Sequence, residues 1–139
     1  MKSKFAKFAG AQFKELVSRS VQESVAAMDA DIKLASPVDT GRFRASWFHA
    51  QSRGSVPDID AVAPEPEKGS KVPAPPPLDP DSLDGAANHI VINNLPYATR
   101  LCEEGWSTKV EPDWFKEIAH RWESGKYLDE AFRRNSGKS

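Results

Sequence analysis

The segment SPVDTGRFRASW, residues 36–47, decides the fold, because it joins a long helical pattern to the start of a strand. We call it the corner. Its Pro37 predicts that the preceding helix ends at or before Ser36, since the residue before a proline is disfavoured in the α region. We expect Asp39 to cap a short second helix, and Gly41 to permit the close approach of another backbone segment.

The second half of the corner combines aromatic and basic side chains. Phe43 and Trp47 are four residues apart, so they share one face of a helical turn and are predicted to pack inward. Arg42 and Arg44 then point elsewhere. The alternation that begins at Trp47 is typical of a strand, which we expect to pair with residues 89–93.

Before the corner, residues 3–34 carry an apolar pattern of helical spacing. Apolar side chains recur at steps of mostly three and four, which places them on one stripe of a helix. About thirty helical residues span roughly 45 Å, more than a domain of this size needs for its own core. We therefore expect one long helix that can reach a neighbouring molecule. Its stripe consists of Phe5, Phe8, Phe13, Leu16, Val17, Val21, Val25, Met28 and Ile32.

Between the predicted strands, residues 56–86 form a proline-rich, acidic insertion, which we call the arm. Eight of the eleven prolines fall there, and residues 57–84 hold seven acidic side chains against two lysines, a balance of −5. Proline removes backbone donors, and the segment has few bulky apolar residues, which predicts an extended conformation. Two arrangements stay open: an arm over an adjacent subunit, or a loose surface loop.

Beyond the arm, the pattern returns to short regular elements. Ile90, Val91 and Ile92 are β-branched in a row and predict a buried strand. Pro96 suits the first position of a following short helix, and Gly105 suits its C-terminal cap.

The C-terminal part predicts two further helices. A helical pattern opens at residues 111–113, is interrupted near Gly125 and then resumes, while residues 135–139 are expected to fray. The whole pattern predicts an α+β fold, in which a long N-terminal helix and C-terminal helices pack on a small, mainly antiparallel sheet. At 139 residues and 39% hydrophobic content, the chain suits one domain.

Composition argues against several classes of function. The formal net charge is −1, which gives no overall attraction to nucleic acid or membrane. The single cysteine, Cys102, excludes an internal disulfide and is expected to be a small packing residue. Neither a signal peptide nor an apolar run of membrane-spanning length is evident, so we expect a soluble protein that is not exported.

The sequence also lacks catalytic and metal-binding patterns. His49, His89 and His120 lie far apart in the chain, without cysteine partners at zinc spacing. Asp113 and Glu117 could share a helical face with His120 and hold a metal, but a solvated polar face is the expected arrangement. No nucleophile motif or phosphate-binding glycine loop is present. We therefore predict neither an enzyme nor a site for a metal or cofactor.

The corner, together with VINNLPYATRLCEEGWS at residues 91–107, resembles the tail-completion or neck proteins of long-tailed double-stranded DNA bacteriophages, a family that includes relatives of the tail terminators. The two motifs occur in the order that the family shows and cover about a fifth of the chain. The sequence departs from the family where residues 109–115 lead into a helix rather than a proline- and glycine-rich loop, and in the length of the arm. The positions that match the family's structural pattern are Pro37, Asp39, Thr40, Gly41, Trp47, Asn94, Pro96, Tyr97 and Gly105.

The resemblance implies a structural virion protein of the phage neck. Such a protein forms a homo-oligomeric ring, with a hexamer favoured, that ends the tail tube and joins the tail to the head connector. Its expected partners are itself, the tail-tube protein and the head-closure or connector protein, with packaged DNA passing through the ring and no membrane involved. We expect it at the head-proximal end of the tail, after assembly in the host cytoplasm.

A ring subunit needs two different patches that bind each other. The basic first helix and the acidic arm form such a pair by charge. We expect Arg42, Arg44 and Arg100 to contact carboxylates of a neighbouring subunit or of the tail-tube protein. Trp106 and Trp114 are either interface residues or core residues.

Two rival functions stay open. A head-closure or adaptor protein would share the ring but bind on the portal side. A protein of a different class, a small DNA-binding protein, would bind duplex DNA with an affinity that falls as salt rises. It would use basic residues of the first helix, namely Lys2, Lys4, Lys7 and Lys14.

Overall fold

The computed structural model describes residues 2–51, 62–104 and 107–137, with side chains from Gly10 onward. Its architecture is the predicted α+β arrangement, with a long N-terminal helix, C-terminal helices and, in the described chain, a two-stranded antiparallel sheet. None of the described helices is both long and apolar enough to cross a membrane. The elements in chain order are α1 (Lys2–Ala35), α2 (Arg42–Ala45), β1 (Trp47–Gln51), β2 (His89–Asn93), α3 (Ala98–Glu103), α4 (Trp114–Glu123) and α5 (Lys126–Ser136).

Helix α1 is continuous over 34 residues, a length of about 51 Å at the usual rise per residue. It ends at Ala35, in agreement with the prediction from Pro37. Ser36 fixes this end, because its backbone N–H and its hydroxyl both donate to the carbonyl oxygen of Ile32, at 3.0 and 2.6 Å. The same hydroxyl accepts a hydrogen bond from Trp47 Nε1 at 2.9 Å, so the strand after the corner holds the helix end.

The corner turns at Gly41, which adopts a left-handed conformation with φ = 87° at the start of α2. A Cβ atom at this position would collide with the carbonyl group of Val72 in the arm. The arm comes this close because the Val72 N–H donates to the carbonyl oxygen of Thr40 at 2.6 Å. The predicted close approach of backbone at Gly41 is therefore confirmed.

The predicted capping role of Asp39 is wrong. Gly41 occupies the N-cap position of α2, and a glycine has no side chain with which to cap. Asp39 lies earlier in the turn, where its exposed carboxylate is 3.4 Å from Lys109 Nζ. Thr40 lies nearer to the helix, and its Oγ1 accepts a long hydrogen bond from the Arg42 N–H at 3.3 Å.

Strands β1 and β2 pair as predicted, with Trp47 opposite Asn93 and Gln51 opposite His89. The face that carries Trp47 and Val91 packs on the core. The prediction that β2 is a buried strand is wrong, because all five of its residues are half-buried. The other face carries Phe48, Ala50, Ile90 and Ile92.

Helix α5 runs back along α1 and closes the core. The Tyr127 hydroxyl donates to Asp31 Oδ2 at 2.7 Å, and Asn135 Nδ2 donates to Glu23 Oε2 at 2.8 Å. The bond from Asn135 to α1 holds the end of α5, which continues to Ser136. The prediction that the chain frays from Asn135 onward is therefore wrong for Asn135 and Ser136. The buried cluster between the helices and the corner consists of Ile32, Phe43, Trp47, Leu95, Ala98, Cys102, Trp114, Ile118 and Tyr127.

Helix α3 begins later than predicted. Pro96 lies before its start, so the prediction that this proline occupies the first helical position is wrong. The reason is a separate turn, in which the Leu95 N–H donates to Asn93 Oδ1 at 3.1 Å. The helix ends at the C-cap residue Glu104, and the predicted cap Gly105 lies outside the described residues.

The described part of the arm, residues 62–86, is mostly extended as predicted, apart from turns at residues 67–70 and 84–87 and a short 3₁₀ helix at Pro80–Ser82. It crosses α1, where Gln22 Nε2 donates to the carbonyl oxygen of Leu83 at 2.6 Å. The Leu83 side chain is buried at this crossing. Along this stretch the arm contacts its own chain, and the two arrangements predicted for it stay open.

Candidate functional site

The two segments that carry the phage-neck resemblance meet in the structure. Asn93 Nδ2 donates to the carbonyl oxygen of Phe43 at 2.9 Å, and Asn93 is the strand partner of Trp47. The Phe43 ring lies edge-on to Trp47, with 5.6 Å between ring centroids, and 6.4 Å from the ring of Tyr97. Residues 36–47 and 91–104 therefore form one packed unit, which we call the corner unit.

Trp114, at the start of α4, packs into the corner unit. Its side chain is 5% exposed, and its ring lies edge-on to Phe43 with 6.2 Å between centroids. Its Nε1–H donates to the carbonyl oxygen of Leu101 at 3.0 Å, which satisfies the indole in the core. Of the two roles predicted for Trp114, the structure supports core packing. Trp106 lies outside the described residues.

Arg42 joins the corner to the arm. Its Nε–H donates to the carbonyl oxygen of Ala63 at 3.0 Å, and the Ala63 N–H donates to Ser46 Oγ at 3.0 Å. The Ser46 hydroxyl in turn donates to the carbonyl oxygen of Arg42 at 2.6 Å. The sequence did not predict these three hydrogen bonds, because nothing in the residue pattern places the arm against α2.

Arg44 meets a different part of the arm. With Leu34 and Pro75, it lines a cavity of about 200 Å³ between α1 and the proline run. Its Nε atom is buried and has no hydrogen-bond partner among the described residues. Arg100 lies on the exposed side of α3. The predicted interface arginines therefore have three different surroundings, and their contact with a neighbour stays a prediction.

A groove opens between the C-terminal end of α1 and helix α4. It has a volume of about 430 Å³, and its apolar lining includes Leu34, Trp114 and Ile118. Leu34 is 86% exposed, so this edge of the groove presents a large apolar side chain to solvent. Glu111 and Glu117 line the groove and are exposed. We call this surface the acidic groove.

Asp31 also lines the acidic groove, but its charge is held within the chain. The Tyr127 hydroxyl donates to its Oδ2 at 2.7 Å, and Arg121 Nη1 lies 3.5 Å from the same oxygen. Burial and, second, the bond to Asp31 raise the pKa of Tyr127, so the phenol is neutral at ordinary pH. The carboxylates of Glu111 and Glu117 face solvent instead.

Helix α1 projects at its N-terminal end. All six residues from Gly10 to Glu15 are exposed. The Phe13 side chain is 59% exposed, with the exposed Lys14 beside it. Residues 2–15 contain four lysines and one glutamate, and we call this segment the basic spike. The same segment contains the other lysines predicted to contact a partner, Lys2, Lys4 and Lys7. The structure does not describe their side chains.

His49 and His89 are distant in sequence but meet across the sheet, with 5.1 Å between ring centroids. His89 Nε2 lies 2.7 Å from the carbonyl oxygen of Asp84 and must donate to it, so His89 Nδ1 accepts from His49 Nε2 at 2.9 Å. Burial and, second, the neighbouring His89 lower the pKa of His49. The sequence predicted the strand pairing without its register, and the register brings the two rings together.

The described residues hold no group of three or more His, Cys, Asp or Glu side chains that could bind a metal ion. Cys102 is buried in the core as predicted, and burial raises the pKa of its thiol to about 12. The thiol is therefore protonated and inaccessible at neutral pH.

Comparison of the chain with family models, with curated proteins and with solved structures found no match.

Proposed function

We propose that this chain is a structural protein of the bacteriophage neck, which forms a homo-oligomeric ring that completes the tail and joins it to the head connector. The observation that carries the proposal is the corner unit. The two segments that resemble neck proteins pack together through Phe43, Asn93 and Tyr97. An accidental resemblance in two separate stretches would not require them to share one packed unit.

The unlike ends of α1 give further support. A subunit of a ring binds its neighbours through two different patches. The chain carries a basic spike at one end of α1 and an acidic groove at the other. Opposite charges at opposite ends favour head-to-tail association, which closes into a ring when the rotation between neighbours allows it.

Within the proposed ring, the corner arginines differ in how cleanly they can be tested. Arg42 is engaged with Ala63 of its own chain, so a charge reversal there would also disturb the arm. Arg44 is the better choice, because its Nε has no partner among the described residues. Reversal of its charge is expected to impair assembly on the tail.

Cryo-electron microscopy of the neck of particles that carry this chain tests the proposal. A hexameric ring on the last ring of the tail tube is the expected result. A dodecameric ring against the portal would support the head-closure alternative. Particles whose neck contains no copy of the chain would contradict the proposal.

Binding to duplex DNA is the second candidate, and the exposed Lys14 on the basic spike favours it. Its test is the DNA affinity of Lys14→Glu across a salt series, with the exposed Lys116 of α4 as the matched control position, Lys116→Glu. A DNA-binding spike would lose affinity in the first variant alone, and the salt slope would become shallower.

A further inference from the structure

We propose that the basic spike of one copy of this chain docks into the acidic groove of the next copy, so that subunits join head to tail. The contact places Phe13 against the apolar lining of the groove and Lys14 against its carboxylates. This inference names the interface of the proposed ring, and it rests on the proposed function only for the closure of that ring.

The basic spike exposes apolar surface that no described residue covers. Phe13 is 59% exposed, although it belongs to the apolar stripe whose later member Ile32 is 3% exposed. The stripe therefore continues past the part of α1 that packs on α4, α5 and the arm. Most helical stability in proteins comes from packing of an apolar face, which the exposed end of α1 lacks within its own chain as described. A partner for this face stabilises both the helix and the contact.

The acidic groove offers an apolar lining to a docked helix. Leu34 is 86% exposed at its edge, and Trp114 and Ile118 form buried parts of its lining. A volume of about 430 Å³ is large enough to receive an aromatic side chain with its neighbours on a helix. Helix-in-groove contacts use apolar anchors of this kind.

The spike and the groove carry opposite charges. The spike holds four lysines and one glutamate, a balance of +3. The acidic groove is lined by Asp31, Glu111 and Glu117 against Arg121 alone, a balance of −2. Because Arg121 and Tyr127 engage Asp31, the two exposed glutamates are the natural partners of spike lysines. Charge complementarity of this kind selects the orientation of the docked helix.

The geometry makes the contact intermolecular. Phe13 and Leu34 lie on one continuous helix, 21 residues apart, which separates them by about 31 Å. The spike therefore cannot fold back into the groove of its own chain. A contact between unlike ends of identical subunits is heterologous, and it generates a ring or an open helical assembly.

This separation allows a sharp test by disulfide crosslinking. In a Cys102→Ala background, the double variant Gln12→Cys, Leu34→Cys keeps the Phe13 anchor, since Gln12 is its exposed neighbour. The two cysteines lie on one helix at a similar separation and cannot form a disulfide within one chain, because cysteine Cα atoms must approach within about 7 Å. Mild oxidation of the full-length protein is expected to give a ladder of dimers, trimers and larger species on a non-reducing gel. A mixture of the two single variants is expected to stop at the dimer, since each chain carries one thiol.

The control places the second cysteine in the arm, at the exposed Ser70. The acidic arm is the rival acceptor for the spike, and Gln12→Cys, Ser70→Cys tests it directly. A ladder from this pair and none from the Leu34 pair would overturn the proposal in favour of the arm. A Leu34 pair that stays monomeric at the highest concentration the protein tolerates would also overturn it.

Charge-reversal variants provide a second test of the contact, which needs no cysteine. In sedimentation velocity experiments, Lys14→Glu and Glu117→Lys are each expected to weaken self-association by about 3-fold, as exposed ion pairs do. The combination of the two is expected to recover part of the loss. Phe13→Ser, which removes an aromatic anchor, is expected to weaken it by about 10-fold or more.

The outcomes separate this contact from the neck function. Crosslinked ladders from a chain that is absent from the phage neck would support the contact and refute the neck proposal. A ring in the neck in which the spike touches another protein would support the neck proposal and refute the contact. Loss of DNA affinity in Lys14→Glu without any change in self-association would refute the contact in favour of a DNA-binding spike.

Discussion

At the scale of single residues, Gly41 combines two constraints. Its φ of 87° is a conformation that L side chains rarely adopt, and a Cβ atom would meet the carbonyl group of Val72. We predict that Gly41→Ala lowers the free energy of unfolding by about 3 kcal/mol, because the strain adds to the displacement of the arm. Urea unfolding followed by circular dichroism measures the loss.

Gly69 supplies the matched control. Its φ is 85°, close to that of Gly41, but no atom lies within 4 Å of an added Cβ. Gly69→Ala should therefore lose only the conformational contribution, about 1 kcal/mol. Equal losses in the two variants would show that the contact with Val72 contributes nothing to stability.

The paired histidines His49 and His89 give the stability of the chain a pH dependence whose sign can be assigned. Because the pKa of His49 is lowered by burial and by His89, the unfolded chain binds the proton more readily than the folded one. The contribution of His49 is complete above its unfolded pKa of 6.5 and is lost as the pH falls from there through the lowered folded pKa. We predict a urea midpoint that decreases between neutral pH and the lowered pKa.

The variant His49→Gln tests this assignment. Glutamine can still donate toward His89 Nδ1 but does not titrate, so the decrease between neutral and acidic pH should become smaller. Asp29 and Lys33 also act on His49, in opposite directions, and both are unchanged in the variant. A pH dependence identical to that of the wild type would rule out His49 as its source.

At the scale of elements, periodicity predicted the helices well and the environment of the strand poorly. The steps of three and four residues fix a helix locally, and α1, α4 and α5 appear where those steps occur. The burial of β2 depends on how many layers cover the sheet, which is a tertiary property. A run of β-branched residues cannot distinguish a strand covered on both faces from one covered on one face.

Helix α5 packs on α1 and bonds to it through two side chains. Ala131 is 0% exposed, and it lies one helical turn from both Tyr127 and Asn135, whose side chains bond to α1. We predict that Ala131→Leu lowers the free energy of unfolding by about 1–3 kcal/mol, because the larger side chain overpacks this contact. Thermal and urea unfolding of the purified variant measure the effect.

The neighbouring residue provides the control, since Glu130 is exposed on the same helix. Glu130→Leu adds a leucine of the same size outside the contact and is expected to change stability by less than about 0.5 kcal/mol. If the leucine at position 131 is tolerated equally well, the α1–α5 contact is not tightly packed.

At the scale of the whole molecule, the sequence predicted which segments matter but not how they are joined. The corner and residues 91–107 were identified from their residues, and Gly41 was correctly given a close contact. The partner in that contact, Val72, could not be predicted, because an extended arm has no periodicity that reveals its path. The acidic groove was missed for a related reason: Leu34 and Glu111 come from distant segments, and only the tertiary fold brings them together.

Exposure divides the described side chains of α1 into a part that supports the core and an exposed part, residues 10–15. Ile32 is 3% exposed within the core cluster, whereas Phe13 is 59% exposed on the spike. We predict that Ile32→Ala lowers the free energy of unfolding by about 2–5 kcal/mol, through lost burial and the cavity that remains. Phe13→Ser, measured at a concentration where the chain is monomeric, should change it by less than about 0.5 kcal/mol.

The pair of variants therefore separates folding from assembly on a single helix. Ile32→Ala is expected to lower stability at every concentration. Phe13→Ser is expected to match the wild type when dilute and to lose stability relative to it as concentration rises, because self-association stabilises the folded wild-type chain by mass action. Urea unfolding at low and high concentration measures both. If Phe13→Ser destabilises the dilute chain as much as Ile32→Ala does, the spike packs within its own subunit and the division of α1 is wrong.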